Sequence, residues 1–350
     1  MSSSSTKLPK SPKTLRIVAL CGFLVLVSGA PVLAQLGNPE LGATGVWGGA
    51  WRSGWTSFAP FQLGGQAYVL SYMRGSGRVD IDRFNPDGKG TVTVWPPDAP
   101  AAHWNKGWTT ILPLHPSYFI LSYRQGDGAL HLDEINSGGQ GTTTRWKGNL
   151  SPGLRLAVLT LGSTNYLLRY APDGWAYIYR LDFHNPPGAQ VWGEKWTSGW
   201  TSLVPFQLDG GSYLLSYKGG DGRLDIDRFS VDAAGKAQMS RVWPAPGQPY
   251  AYWKTGWTSF ASFQAGGQTY LLSYMRGSGR VDIDRFNLGG MGTTTVLPNK
   301  PGYYYVPYGK GWPSVVSFQL NNRAHFLLYG NDLWPQKAGF KAVFISAVND

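Results

Sequence analysis

The sequence predicts an all-β fold built from repeated units, and three observations support this prediction. Glycine and proline are abundant, with 47 and 24 copies, whereas only 15% of the residues are charged. Beyond residue 34, no segment of useful length has the periodicity of an amphipathic helix. A phrase that begins at Gly54 and ends with the strand Arg78–Phe84 returns along the chain about every fifty residues. Self-similarity at this spacing is typical of repeat architectures.

The first residues have the features of a bacterial secretory signal peptide, predicted to span residues 1–34. A basic segment precedes an apolar run over Ile17–Val27, and small side chains precede the expected cleavage after Ala34. An uncleaved membrane anchor is the alternative, but the apolar stretch is barely long enough to span a bilayer. We therefore expect a secreted protein, extracellular or periplasmic, without a stable membrane anchor. Residues 35–44 would form a short N-terminal segment and 45–350 the folded domain.

Composition restricts the partners that this chain could have. The single cysteine, Cys21, lies in the predicted signal, so the mature protein would have no disulfide and would depend on its core for stability. The formal net charge is +11 and is spread along the chain. This moderate basicity permits weak attraction to acidic polymers but, together with a secretory signal, it does not indicate nucleic-acid binding.

The repeat can be aligned on its Gly-Trp dipeptide, which gives six units. Each unit reads as four short strands separated by turns rich in glycine. Four antiparallel strands per unit are typical of a β-propeller, here with six four-stranded blades. The units begin near Trp55, Trp108, Leu154, Trp200, Trp257 and Trp312. The strands predicted for the first unit are Thr56–Leu63, Ala67–Tyr72, Arg78–Phe84 and Thr91–Trp95.

The two ends of the chain predict how the ring of blades closes. The last unit ends after three strands, so it lacks an outer strand. Residues 46–55 align without a gap with residues 191–200, which include the outer strand of the third unit. We therefore predict that the N-terminal strand Gly45–Trp47 completes the last blade. Closure of this kind would leave no open sheet edge.

Pairs of aromatic residues, four positions apart, lie on the predicted connections between blades with basic residues beside them. An indole face suits the apolar C–H face of a sugar ring, and neighbouring donors can reach its hydroxyl groups. The second aromatic residue of each pair, which follows glycine, is interpreted as a buried wedge between blades. The first lies in a loop-like stretch and is the candidate binding residue. The candidate ligand-binding residues are Trp51, Arg52, Trp104, Lys106, Lys195, Trp196, Trp253, Lys254, Tyr308 and Lys310.

A second pattern places one arginine and two aspartates on one face of the predicted third strand, because alternate residues share a face. A calcium site, a catalytic pair and an ion-pair network would all be compatible with these residue types. Calcium prefers carboxylates on a tight loop, and a glycosidase pair would not be repeated in three blades. We therefore predict Arg–Asp pairing between neighbouring strands, with no metal or cofactor. The three copies are Arg78, Asp80 and Asp82; Arg223, Asp225 and Asp227; and Arg280, Asp282 and Asp284.

The second and third units depart from this pattern at the positions of the two aspartates. His131 and Asp133 occupy them in the second unit, and Tyr177 and Tyr179 in the third.

The Gly-Trp dipeptide, the Phe-rich strand Thr56–Phe61 and the strand Tyr68–Tyr72 together resemble a blade of the tachylectin-2-type propeller lectins. They are also similar to tandem repeats of uncharacterised secreted bacterial proteins. The resemblance to the lectins implies a β-propeller with one carbohydrate site per blade, between neighbouring blades. On this chain it points to the aromatic and basic connectors.

These observations predict a multivalent, lectin-like binding module that is not an enzyme, with glycans or cell-surface polysaccharide as its ligands. The sequence has no metalloprotease motif and no nucleophile elbow. Two alternatives remain open. A protein-interaction scaffold could use the same propeller surface. A polysaccharide lyase or hydrolase could use a cluster in the central channel, with the third unit from Trp175 to His184 as the place to find it.

Overall fold

β-Strands form nearly all of the regular structure in the described part of the chain, in agreement with the all-β prediction. The computed structural model describes residues 41–50, 52–99, 104–114, 118–184, 187–297, 314–321, 323–334 and 337–347. Two short 3-10 turns, Ser137–Gly139 and Leu288–Gly290, interrupt the strands. No helix in these ranges is long and apolar enough to cross a membrane. The predicted signal peptide, residues 1–34, lies outside them.

The strands follow one another as antiparallel hairpins. In the first repeat, two predicted strands are confirmed with their bounds and two differ by one residue at their ends. The strands are β1 (Leu41–Ala50), β2 (Ser57–Leu63), β3 (Gln66–Met73), β4 (Arg78–Phe84), β5 (Thr91–Trp95), β6 (Thr110–Leu114), β7 (Phe119–Tyr123), β8 (Ala129–Ile135), β9 (Thr142–Asn149), β10 (Arg155–Leu161), β11 (Thr164–Tyr170), β12 (Trp175–Arg180), β13 (Gln190–Lys195), β14 (Ser202–Leu208), β15 (Gly211–Tyr217), β16 (Arg223–Val231), β17 (Ala237–Trp243), β18 (Ala251–Tyr252), β19 (Ser259–Ala265), β20 (Gln268–Met275), β21 (Arg280–Phe286), β22 (Thr293–Leu297), β23 (Ser314–Leu320), β24 (Arg323–Trp334) and β25 (Lys337–Ala347).

These strands form antiparallel sheets, which we number as the blades of a β-propeller. Blade 1 is β2–β5, blade 2 is β6–β9, blade 3 is β10–β13, blade 4 is β14–β18, blade 5 is β19–β22, and blade 6 is β23–β25 with β1. The prediction of uniformly four-stranded blades is wrong: five blades have four strands each, and blade 4 has five. In blade 4, Ala251 and Tyr252 pair with Leu224 and Arg223, beyond the end of β17 opposite Ile226.

The predicted closing strand Gly45–Trp47 is wrong in its bounds. The strand observed there is β1, which is ten residues long and runs antiparallel to β25, from Leu41 opposite Ala347 onwards. The register shifts between Gly45 and Trp47, so the short segment chosen from the sequence contains the irregularity of the pairing. A bulge of this kind inserts a residue that has no partner on the neighbouring strand.

The core lies between neighbouring blades, which pack face to face. Phe206 of blade 4 stacks on Phe286 of blade 5 with ring centres 3.8 Å apart, and Phe84 of blade 1 stacks on Phe318 of blade 6 at 4.0 Å. The first strand of each blade contacts the first strand of the next, in the cyclic order β2, β6, β10, β14, β19 and β23. Between the neighbouring strands β2 and β23, the side-chain amide of Gln62 donates a hydrogen bond of 2.6 Å to the carbonyl of Gln319.

A repeated tyrosine joins each described connector to the blade before it. The hydroxyl of Tyr72, at the end of β3, accepts a hydrogen bond from the backbone N–H of Trp108 and donates one to the carbonyl of Asn105, at 3.1 and 2.9 Å. Both bonds satisfy a buried phenol, so the connector is fixed to the blade. The equivalent tyrosines are Tyr123, Tyr170, Tyr217 and Tyr329.

Candidate ligand-binding site between blades

A glycine of the preceding blade positions the first tryptophan of three described connectors. The carbonyl of Gly222 accepts a backbone hydrogen bond of 2.8 Å from Trp253. Gly222 has a φ of +79°, and a Cβ at this position would lie 2.1 Å from the carbonyl oxygen of Trp253. Only glycine fits such a close approach. Trp104 and Trp196 are held in the same way by Gly77 and Gly174.

The structure separates the two aromatic positions of each connector as the sequence suggests. The second tryptophans, interpreted as wedges, are buried: Trp55, Trp108, Trp200 and Trp257. The first tryptophans are half-buried: Trp104, Trp196 and Trp253. The basic candidates are exposed: Arg52, Lys106, Lys195 and Lys254. The remaining candidates, Trp51, Tyr308 and Lys310, lie outside the described residues.

A pocket of about 390 Å³ lies at the junction of blades 3 and 4. Lys195, the last residue of β13, and Trp196 of the connector line it on one side, and Asp225 and Asp227 line it from β16. Arg241 of β17 contributes the cation on the same side as the aspartates. The other lining residues are Glu194, Thr197, Trp200, Met239, Pro246 and Gly247. The aromatic connectors and the aspartate strands, which the sequence presents as separate features, therefore belong to one site.

Asp225 is the most strongly paired acid of this pocket. Its side chain is 4% exposed, and its Oδ2 lies 3.0 Å from Nη2 of Arg223 and 3.4 Å from Nη2 of Arg241. Its Oδ1 has no hydrogen-bond partner among the described residues. The predicted pairing between neighbouring strands is correct for Arg241, but Arg223 lies two residues away on the same strand. The same-strand arrangement recurs at Arg280, 2.8 Å from Asp282.

The second aspartate is held less uniformly. In blade 1, Oγ1 of Thr93 donates a hydrogen bond of 2.6 Å to Asp82, and equivalent threonines serve Asp133 and Asp284 in blades 2 and 5. In blade 4 the residue opposite Asp227 is Arg241 instead of threonine. This exchange places a guanidinium group where the other three blades have a hydroxyl group.

Burial keeps several of these carboxyl groups weakly acidic. Burial and then the charge of Asp225 raise the pKa of Asp227 to about 7, against the opposing effect of Arg241. Burial and the neighbouring Asp82 raise the pKa of Asp80 to about 8. In blade 5, burial raises the pKa of Asp284 to about 6. Near neutral pH, Asp80 and Asp227 can therefore donate as well as accept hydrogen bonds.

The arginine that precedes the aspartates stands over the buried tryptophan of the connector. The guanidinium carbon of Arg223 is 5.1 Å from the ring centre of Trp200, and that of Arg280 is 5.4 Å from Trp257. Such contacts place the cation and the aromatic ring at fixed positions in the junction. In blade 2 the ring of His131 lies 4.7 Å from Trp108, and the guanidinium carbon of Arg124 lies 5.5 Å from the same ring. The junctions are thus related but not identical sites.

The enzyme alternative singles out the segment from Trp175 to His184 and the central channel. Oδ1 of Asp182 accepts a bond of 2.9 Å from the backbone N–H of His184, so this acid closes a turn. A cavity of about 300 Å³ lies between β2, β19 and β23, and none of the residues that line it is acidic or a histidine. The described residues also contain no group of three or more His, Cys, Asp or Glu suited to a metal ion.

Comparisons with known proteins support the fold class. No family model matches the sequence, and no curated protein does. The structure is similar to that of the SapL1 lectin, solved in complex with alpha methyl fucoside, with 12% identity, a TM-score of 0.51, and coverage of 82% of this chain and 95% of the lectin.

Two further structures are less similar. The periplasmic gluconolactonase PpgL of Pseudomonas aeruginosa has a TM-score of 0.46, with 15% identity and coverage of 69% of this chain and 70% of that one. The Swd1 β-propeller domain of Myceliophteria thermophila has a TM-score of 0.45, with 14% identity and coverage of 83% of both chains. At 12% identity the likeness to the SapL1 lectin is one of fold alone.

Proposed function

We propose that this protein is a secreted β-propeller that binds glycans at the junctions between its blades. The observation that carries the proposal is the pocket between blades 3 and 4, which combines Trp196 with the ion pair of Arg241 and Asp225. Its volume of about 390 Å³ falls in the range of small-molecule sites. The signal peptide predicted over residues 1–34 supports the secreted location.

The chemistry of this pocket suits a sugar with vicinal hydroxyl groups. The indole of Trp196 offers an apolar face to the C–H side of the ring. Arg241 only donates hydrogen bonds, and Asp225 offers acceptors. Asp227, which is partly protonated near neutral pH, can either accept or donate. A pair of neighbouring hydroxyl groups matches this alternation of donor and acceptor, because each hydroxyl can do both.

Several junctions of this kind would make the protein multivalent. The first tryptophan recurs at Trp104 and Trp253. A buried acid of the next blade recurs at Asp282, the counterpart of Asp225, and at Asp133, the counterpart of Asp227. Weak individual sites of similar geometry on one rigid ring bind a repeating polymer with increased avidity. Cell-surface polysaccharides present such repeats.

The proposal is tested with a glycan array and calorimetry on the mature chain, residues 35–350, with and without a chelator. We expect several ligands per chain and no effect of the chelator. Trp196→Ala should lower the stoichiometry or weaken binding about tenfold, because it removes the aromatic face, while the protein stays folded. Tyr118→Ala, an exposed aromatic residue that does not line the pocket, is the matched control. A folded Trp196→Ala variant with unchanged binding would contradict the proposal.

A further inference from the structure

The junction of blades 2 and 3 differs from that of blades 3 and 4 in where its charged and aromatic groups lie. In blade 3, Arg169 pairs across the sheet with Tyr177, and Tyr179 follows on the same face of β12. In the other blades whose third strands carry the polar pattern, the residue opposite the first acid or histidine is a serine. These serines are Ser71, Ser122, Ser216 and Ser273. Blade 3 thus replaces a serine by a cation and two polar or acidic groups by phenols.

The connector of this junction has changed in a complementary way. Leu150 and Leu154 occupy the two positions that are tryptophans elsewhere, and both are buried. Leu154 keeps the backbone bond to the preceding tyrosine, with its N–H 3.1 Å from the hydroxyl of Tyr123. The aromatic groups of the junction therefore lie on the strand and not on the connector.

The aromatic groups of β12 form a flat, accessible surface. The rings of Trp175 and Tyr177 are stacked, 5.7 Å apart and 10° from parallel. Trp175 is 38% exposed, and Tyr177 is half-buried. Gly193 lies opposite Tyr177 on β13, where a Cβ would come within 2.8 Å of the tyrosine ring, so the ring rests against the bare backbone. The stacked pair therefore presents an aromatic surface that solvent can reach.

The cation of this junction is not neutralised by the protein. The guanidinium carbon of Arg169 stands 4.8 Å above the ring of Tyr179, and the Tyr179 hydroxyl bonds to Gln190. No carboxylate of the described residues forms an ion pair with Arg169, and its Nε has no hydrogen-bond acceptor among them. Arg223 in blade 4, by contrast, lies 3.0 Å from Asp225. The junction of blades 2 and 3 therefore has a chemistry that favours an anion.

We propose that Arg169, Trp175, Tyr177 and Tyr179 form a distinct site for an acidic sugar, a hexuronate residue of a glycan. The guanidinium group offers a planar fork of donors that matches a carboxylate. The stacked rings of Trp175 and Tyr177 offer the apolar surface on which the sugar ring lies. This inference deepens the proposed function and rests on it for the ligand being a sugar. It adds that the junction of blades 2 and 3 prefers a negatively charged sugar to a neutral one.

The test compares methyl β-D-glucuronide with methyl β-D-glucoside, which differ in the carboxylate, by calorimetry on the mature chain. We expect the glucuronide to bind the wild type at least tenfold more tightly and its affinity to fall with added salt. Arg169→Ser should abolish this preference. It introduces the residue that four other blades carry at this position, so the fold should be retained. Arg169→Lys keeps the charge without the fork and should give an intermediate affinity.

Two controls separate this inference from the proposed function. Ser216→Ala changes the equivalent position in blade 4 and should leave the preference for the glucuronide unchanged. Trp196→Ala should weaken array glycans bound at the junction of blades 3 and 4 but not the glucuronide. If glycans bind there while the glucuronide is not preferred, or if Arg169→Ser binds the glucuronide like the wild type, the acidic-sugar site is wrong and the proposed function stands. If no glycan binds at all, both are wrong.

Discussion

At the scale of the residue, the buried carboxyl groups show how the junctions combine stability with chemistry. Asp225 and Asp80 each have a buried Oδ1 with no hydrogen-bond partner in the described structure, but of the two only Asp225 is balanced by arginines, Arg223 and Arg241. Arg78, which precedes Asp80 as Arg223 precedes Asp225, instead approaches Asp98, at 3.7 Å. Two copies of one sequence pattern therefore differ in their ion pairs, because the chain around each copy differs.

The raised pKa of Asp80 predicts a pH-dependent gain from its removal. Its pKa is about 8 in the folded protein and about 3.8 in the unfolded chain, so the folded state holds the proton more tightly. Protonation of Asp80 therefore favours the folded state. Its contribution to the unfolding free energy is complete below pH 4 and is lost as the pH rises through 8. We expect Asp80→Asn to raise the unfolding free energy by about 1–3 kcal/mol at pH 9 and to change it little at pH 4.

Denaturant titrations at the two pH values measure this difference. Asp209→Asn is the matched control, because Asp209 is exposed and its left-handed φ of 52° is one that asparagine also adopts. A gain from Asp80→Asn that is equal at both pH values would contradict the assignment of a protonated, buried carboxyl group.

At the scale of the element, the connectors depend on the tyrosine at the end of the second strand of each blade. The hydroxyl of Tyr217 receives the N–H of Trp257 at 3.3 Å and donates to the carbonyl of Lys254 at 2.8 Å. This pair of bonds holds the connector against β15 and so places Trp253 beside the next blade. Tyr217 thereby makes the position of the connector, and of Trp253 on it, depend on β15.

Removing this hydroxyl group should therefore cost both stability and binding. We expect Tyr217→Phe to lower the unfolding free energy by about 1–3 kcal/mol, because a buried N–H and a carbonyl lose their partner. Binding at the junction of blades 4 and 5 should weaken as the connector loosens, whereas the pocket of blades 3 and 4 should be unaffected. Tyr250→Phe, at a partly exposed ring that stacks under Arg223, serves as a control for the loss of a phenol. Equal stability of Tyr217→Phe and the wild type would contradict this role.

The sequence predicts the strands well and the junctions poorly, for a physical reason. The alternation of apolar and polar side chains is local, so β4 and β5 are predicted to the residue. The two-residue strand β18 has no such pattern. Trp196 and Asp225 line one pocket only because neighbouring blades pack face to face, and neither residue's own segment contains that information. The replacement of serine by Arg169 can be recognised only when the strand register aligns Arg169 with Ser71 and its equivalents.

At the scale of the whole molecule, one junction differs from the others in how the chain holds it together. Most connectors continue from a strand that a hairpin links to the rest of its blade. The connector that contains Trp55 continues instead from β1, which is joined to β25 by strand pairing alone. The tyrosine bond at this junction, between Trp55 and Tyr329, spans 274 residues, compared with 40 residues for Trp257 and Tyr217. Closing the longer loop costs more conformational entropy.

The ring should therefore open first at the junction of Trp55 and Tyr329. Native-state hydrogen exchange can compare the backbone amides of Trp55 and Trp257, since both are buried and both donate to a tyrosine hydroxyl group at 3.3 Å. We expect the amide of Trp55 to exchange at least tenfold faster. Local opening there only has to separate β1 from β25, which no hairpin connects. Tyr329→Phe should accelerate the exchange of Trp55 and leave that of Trp257 unchanged. Equal exchange of the two amides in the wild type would mean that the pairing of β1 with β25 closes the ring as firmly as a hairpin does.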